Sequence, residues 1–130
     1  MNNELTFLTW TLVLALVQVI AHGVARTKET GAKFNVSARD TTPPPYGIIA
    51  GRLYRAQTNL FETLPLFAAA VLIAHVAGRE SALTAWGALL YFWGRLIYVP
   101  LYVMGIPVAR TLVWMAATIG LILIFVAILI

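Results

Sequence analysis

The sequence contains no cysteine. Disulfides, thiolate metal sites and a cysteine nucleophile of the chain's own are therefore excluded, and any thiol chemistry needs a thiol from outside. Charge is also scarce. Asp, Glu, Lys and Arg make up 11% of the 130 residues, whereas 61% are hydrophobic. A soluble domain carries roughly 25% charged residues, more than twice as many. A soluble fold of this length has too little interior to hide so much apolar surface. The chain reads as an all-α integral membrane protein with a single domain, residues 1–130. Acidic residues are rarest, five against nine Lys and Arg, giving a formal charge of +4. No basic face with interleaved aromatics lies outside the apolar runs, so nucleic acid is not an expected partner. Histidine is limited to His22 and His75. They fall near opposite ends of their helices, without further ligands at metal spacing, so no metal is expected.

Long apolar runs are what the sequence has in abundance. A spanning helix needs about 20 mostly apolar residues, and four stretches qualify: about 5–26, 52–77, 82–103 and 108–130. No basic segment precedes the first, since Asn2, Asn3 and Glu4 come before it. It reads as a retained helix rather than a signal peptide. Gly78-Arg79-Glu80-Ser81 makes a tight polar turn, and Pro107 suits the first turn of the last helix. The connection 27–51 is long, polar and contains Pro43-Pro44-Pro45. Loops of this length in small proteins are usually functional or disordered. Arg26, Lys28, Lys33, Arg39, Arg52 and Arg55 lie in or beside it, Arg110 lies on the same side, and only Arg79 lies across. The positive-inside rule places this loop in the cytoplasm and both termini on the opposite side. The four spans are expected to form an up-down bundle.

The second run carries Arg52, Arg55, Asn59 and Glu62. At 100° per residue these fall within about an 80° arc, one stripe rather than a scatter. A charge at bilayer depth costs about 2.5–3.5 kcal/mol on insertion scales, so the stripe must face protein or a wet pocket. The third run adds Arg95, with Tyr98 and Tyr102 on the same face, and the fourth opens with Arg110. Alternate threading brings these groups to one depth. Arginines outnumber the lone Glu62, which points to a site for an anionic small molecule. A structural reading stands beside it. Glu62 and Arg95 could instead form an ion pair that locks two helices, and Arg52 and Arg110 could be snorkelling interface residues. Pro65 removes a backbone hydrogen bond and is expected to kink its helix. Gly87-Ala88 and Ala68-Ala69-Ala70 offer small surfaces for close helix contact. Trp10, Trp86, Trp93 and Trp114 read as belt and packing residues.

The stretch Arg52-Leu53-Tyr54-Arg55-Ala56-Gln57-Thr58-Asn59, with Glu62 and then Pro65-Leu66-Phe67, resembles the second-helix signature of the MAPEG family, the membrane-associated proteins of eicosanoid and glutathione metabolism. The likeness is greatest to the leukotriene-forming synthase and microsomal glutathione transferase branch. It extends over the chain through the four spans, the long first loop, Arg95, Tyr98, Tyr102 and Arg110. The resemblance implies a homotrimer that binds glutathione between subunits near the cytoplasmic face and takes a lipophilic substrate from the lipid bilayer. It implies glutathione contacts at Arg55, Gln57, Asn59, Glu62, Arg95, Tyr98 and Tyr102, a counterpart at Arg26, and a thiol-activating role for Arg110. The implied function is that of a glutathione transferase or peroxidase; a non-catalytic binder of glutathione, another anionic metabolite or a lipid headgroup is the alternative. Thr63 departs from the branch, which has a tyrosine contact there.

Overall fold

A computed structural model describes every residue, Met1–Ile130. It is all helical: α1 (Asn3–Thr30), a short α2 (Ala32–Val36), α3 (Ile48–Val76), α4 (Ala82–Val103) and α5 (Pro107–Leu129). The four long helices are each long and apolar enough to cross a membrane, and the protein is a multi-pass integral membrane protein. Helices α1 and α3 reach beyond their apolar cores. The last turn of α1 holds Arg26-Thr27-Lys28-Glu29-Thr30, residues that a hydropathy window rejects but a helix accepts. The chain stops being helical at Gly31, whose φ of 87° is open to glycine and strained for other residues.

Caps and turns explain the boundaries. The Asn2 side chain accepts from Leu5 N at 2.9 Å to start α1. The Glu29 carboxylate accepts from Gly47 N at 2.8 Å, so the end of α1 supplies an anion to the start of α3. Gly78 (φ 67°) closes the α3–α4 turn and Gly105 (φ 74°) the α4–α5 turn. Arg52 donates to Val103 O at 2.9 Å. It caps the C-terminal end of α4, where carbonyls lack helical partners. Both α3 and α4 run through an internal proline, Pro65 and Pro100.

Helices α4 and α5 form the tightest pair. A Cβ on Gly120 would stand 2.5 Å from Gly87 O, and one on Gly94 2.9 Å from Ala117 Cβ. These small surfaces let two apolar helices gain dispersion contact where lipid offers no hydrophobic driving force. Helix α1 packs on α3 and α4 but not on α5. The core runs through Leu8, Ala15, Leu60, Phe67, Tyr91 and Ile124. Phe67 and Tyr91 stack at 4.0 Å between ring centroids.

Candidate functional site

Helices α3 and α4 run antiparallel, and polar pairs mark their register. The Tyr91 hydroxyl meets Thr63 Oγ1 at 2.8 Å. One turn along α4 and one turn back along α3, Arg95 Nη1 donates to Asn59 Oδ1 at 2.8 Å. Two turns further along α4, and one turn further back along α3, Arg55 Nε donates to the Tyr102 hydroxyl at 3.1 Å. The spacings that put these residues on one face of each helix also bring the two faces together. Arg95 is only 2% exposed. Its guanidinium lies 4.5 Å from the centre of the Tyr98 ring, and burial there strengthens that attraction.

The loop-side end of α5 completes the group. Arg110 sits over the Tyr102 ring at 4.7 Å, on the ring that also faces Arg55 at 5.9 Å. Tyr102 thus stands between two guanidiniums. Asn59, Tyr98, Tyr102, Arg110, Thr111 and Trp114 line a cavity of about 270 Å³. It is open to the surface of the protomer. Its walls offer a cation, two phenols, an amide and a hydroxyl, with an indole on one side: donors for an anion beside a surface for an apolar group.

Asn59, Tyr98, Tyr102 and Arg110 therefore converge, with Arg55 and Arg95 as their direct partners. Glu62 is exposed on the protomer and forms no ion pair; the pairs present are Arg26–Glu29 and His75–Glu80. Arg95 pairs with Asn59 in place of Glu62, so the helix-locking Glu62–Arg95 bridge is not formed. Gln57 lies about 160° around α3 from Asn59; it cannot reach the same cavity. Arg26 stands apart too. It donates to Glu29 Oε1 at 2.7 Å and to Pro44 O at 2.6 Å, and its guanidinium covers the Tyr46 ring at 4.1 Å. It borders a second cavity of about 390 Å³ formed with His22, Asn35, Arg39 and Tyr46. His22 meets the Tyr46 hydroxyl at 3.0 Å, whereas His75 sits beside Glu80 at the other end of the bundle.

Sequence reasoning missed two lining residues. Thr111 and Trp114, the latter read as a belt or packing residue, follow Arg110 by one and four positions; the i,i+4 spacing finds Trp114, and no spacing signal marks Thr111. Thr63, where the resembling branch has a tyrosine, bonds the Tyr91 hydroxyl, so a phenol from α4 occupies that level.

The model of the MAPEG family matches residues 7–130, nearly the whole chain. No curated protein matches it.

Proposed function

The chain belongs to the MAPEG family, and from that membership and the site's chemistry we propose that it is a glutathione-dependent membrane transferase or peroxidase acting on lipophilic electrophiles. The observation that carries this reading is the convergence of Arg110, Tyr102, Tyr98 and Asn59 on one cavity open to the protomer surface, in a chain with no thiol of its own. Glutathione has two carboxylates, an ammonium and a thiol. Arg55 and Asn59 hold its carboxylates and amides, and Glu62 receives its ammonium. Arg110 places a fixed cation beside the sulfur, which favours the thiolate over the thiol. The lipophilic substrate enters from the bilayer along Trp114. In transfer, the sulfur forms a bond to an electrophilic carbon, the leaving group departs with the bonding pair, and the thiol proton passes to solvent. The long loop and this cavity are taken as cytoplasmic from the distribution of Lys and Arg.

The site is open on the face that carries Glu62 and Arg55. A lone carboxylate facing acyl chains is costly, and a second copy of the chain covering that face removes the cost. Arg26, which stands apart from the protomer's own cavity, would serve a neighbour's in such an assembly. A homotrimer with intersubunit sites is the assembly we propose.

Calorimetric titration of glutathione into purified protein tests binding, and thiolate absorbance tests activation. The expected result is saturable binding with thiolate formation, and Arg110→Met retaining most of the affinity while losing the thiolate signal. No binding would overturn the reading. Binding with thermal stabilisation, but no thiolate and no turnover on a panel of electrophiles and peroxides, would favour a non-catalytic binder. The resting contact of Arg110 with the Tyr102 ring is compatible with that second reading.

A further inference from the structure

Gln18 is a buried polar side chain of α1 that no role above explains. It is 3% exposed, and neither its amide nitrogen nor its oxygen has a hydrogen-bond partner. Such a group costs about 1–3 kcal/mol if left unpaired, and in an apolar helix a leucine would avoid that cost. Two other buried polar atoms are orphaned in the protein: Gln57 Oε1 and Arg95 Nε.

Register brings Gln18 level with Gln57 and with Asn59, the residue that holds Arg95. His22 on α1 meets Tyr54 on α3 with ring centres 5.1 Å apart. The helices run in opposite directions. Four residues back from His22 is Gln18, and four on from Tyr54 is Thr58, flanked by Gln57 and Asn59. Gln18 is thus level with Gln57 and Asn59 to about one residue's rise, ~1.5 Å. Asn59 in turn holds Arg95 at 2.8 Å. Gln18 belongs to the buried stripe Glu4, Leu8, Thr11, Leu14, Ala15 and Gln18, which faces α3 and α4, the two long helices on which α1 packs. The orphans are chemically complementary. Arg95 Nε–H and Gln18 Nε2 donate; Gln18 Oε1 and Gln57 Oε1 accept.

We infer that Gln18 is a positioning residue for the candidate site: through a small buried water cluster shared with Gln57, it holds the Arg95 guanidinium from the α1 side. This inference rests on the proposed glutathione site. Buried waters make about three hydrogen bonds to otherwise unsatisfied groups, and this layer supplies them. With Nε held by the α1 side and Nη1 bonded to Asn59, the guanidinium plane is fixed over Tyr98, and the Asn59 amide is fixed with its nitrogen free to face the ligand. Gln18 itself never touches the ligand. Its effect is on affinity rather than on the chemical step, which belongs to Arg110.

The test uses the purified oligomer in nanodiscs, wild type beside Gln18→Leu and Gln18→Glu. Leucine removes both polar atoms with little change of volume; glutamate keeps the acceptor. The expected result is glutathione affinity about tenfold weaker in Gln18→Leu, a melting temperature no lower than wild type, an unchanged rate of turnover at saturating glutathione, and affinity regained in Gln18→Glu. A ligand-free readout runs in parallel. The Arg95 Nε–H resonance, identified by its loss in Arg95→Lys, exchanges slowly in the wild type and shifts or exchanges faster in Gln18→Leu. Wild-type protein that binds no glutathione overturns the site reading, and the resonance then decides on Gln18 alone. An unmoved Arg95 resonance, or a Gln18→Leu variant whose only change is in melting temperature, overturns the inference.

Discussion

At the scale of single residues, Glu62 is the sharpest test of the proposed chemistry. It lies on the stripe with Arg55 and Asn59, exposed on the protomer and without an ion-pair partner. Glu62→Gln keeps the shape and removes the charge. If Glu62 receives the ligand's ammonium, losing that charge-assisted bond costs roughly 1.5–3 kcal/mol, about ten- to a hundred-fold in affinity. Because Arg95 bonds Asn59 rather than Glu62, the change leaves no buried arginine unpaired, and the melting temperature of the ligand-free protein is expected to hold. Affinity and melting temperature measured on one preparation decide. A stable variant with wild-type affinity would remove Glu62 from the site. A variant that melts far lower would show that Glu62 supports the fold through a contact outside the protomer. The stripe itself was legible because charges at bilayer depth are expensive, so their spacing carries information. Gln18 was not legible in the same way. It is uncharged, it stands alone in an apolar run, and the groups inferred to share its waters lie on helices distant in sequence. The same holds for Arg52, whose capping of α4 depends on where the α4–α5 turn falls.

At the scale of elements, the four spans followed from hydropathy, while the ends of α1 and α3 that border the long loop did not. Helix α1 continues through Thr30 because polar residues with good helix propensity follow the apolar run. Helix α3 begins at Ile48 after its N-cap Gly47, whose amide donates to Glu29 from the end of α1. The second is not a local signal. The Gly87-Ala88 surface was visible as small residues, but its mate, Gly120, is known only from the packing of α4 on α5. That contact gives a prediction. A Cβ on Gly120 would meet Gly87 O at 2.5 Å and Tyr91 N at 2.9 Å, both backbone atoms that cannot turn aside. Gly120→Ala is expected to cost about 1–3 kcal/mol by overpacking. Gly23→Ala is the control, because nothing lies within 4 Å of a Cβ there, and it is expected to be neutral or to gain up to about 1 kcal/mol in helix propensity. Thermal unfolding in one detergent compares the two. Equal melting temperatures would mean that α4 and α5 pack less closely than the glycine contact requires. The displacement of α4 would also move Tyr98 and Tyr102, so glutathione affinity is expected to fall with stability in Gly120→Ala alone.

At the scale of the whole molecule, the distribution of polar groups argues for more than one copy of the chain. The protomer gathers Asn59, Tyr98, Tyr102 and Arg110 around a cavity, yet leaves Glu62 and Arg55 exposed on the same side of α3. Lipid would solvate neither. A neighbouring copy laid against this face would bury the Glu62 carboxylate in a polar setting, close the cavity and bring polar groups from another subunit to the ligand. The proposed trimer is cyclic, so the face that offers the cavity and the face that covers it are different patches of one surface, repeated three times. It follows that affinity and assembly are linked. Anything that binds the oligomer and not the separated chain stabilises the oligomer by mass action. Glutathione is expected to hold the trimer together at detergent concentrations that otherwise dissociate it, and the separated chain is expected to lose most of its affinity because the polar groups of the proposed neighbour have gone. Native mass spectrometry across a detergent series, with and without glutathione, reads the assembly; titration on the same samples reads the binding. A monomer that binds glutathione as tightly as the oligomer would show that the cavity of one protomer is sufficient, and would make the exposed Glu62 a problem for lipid rather than a part of the site.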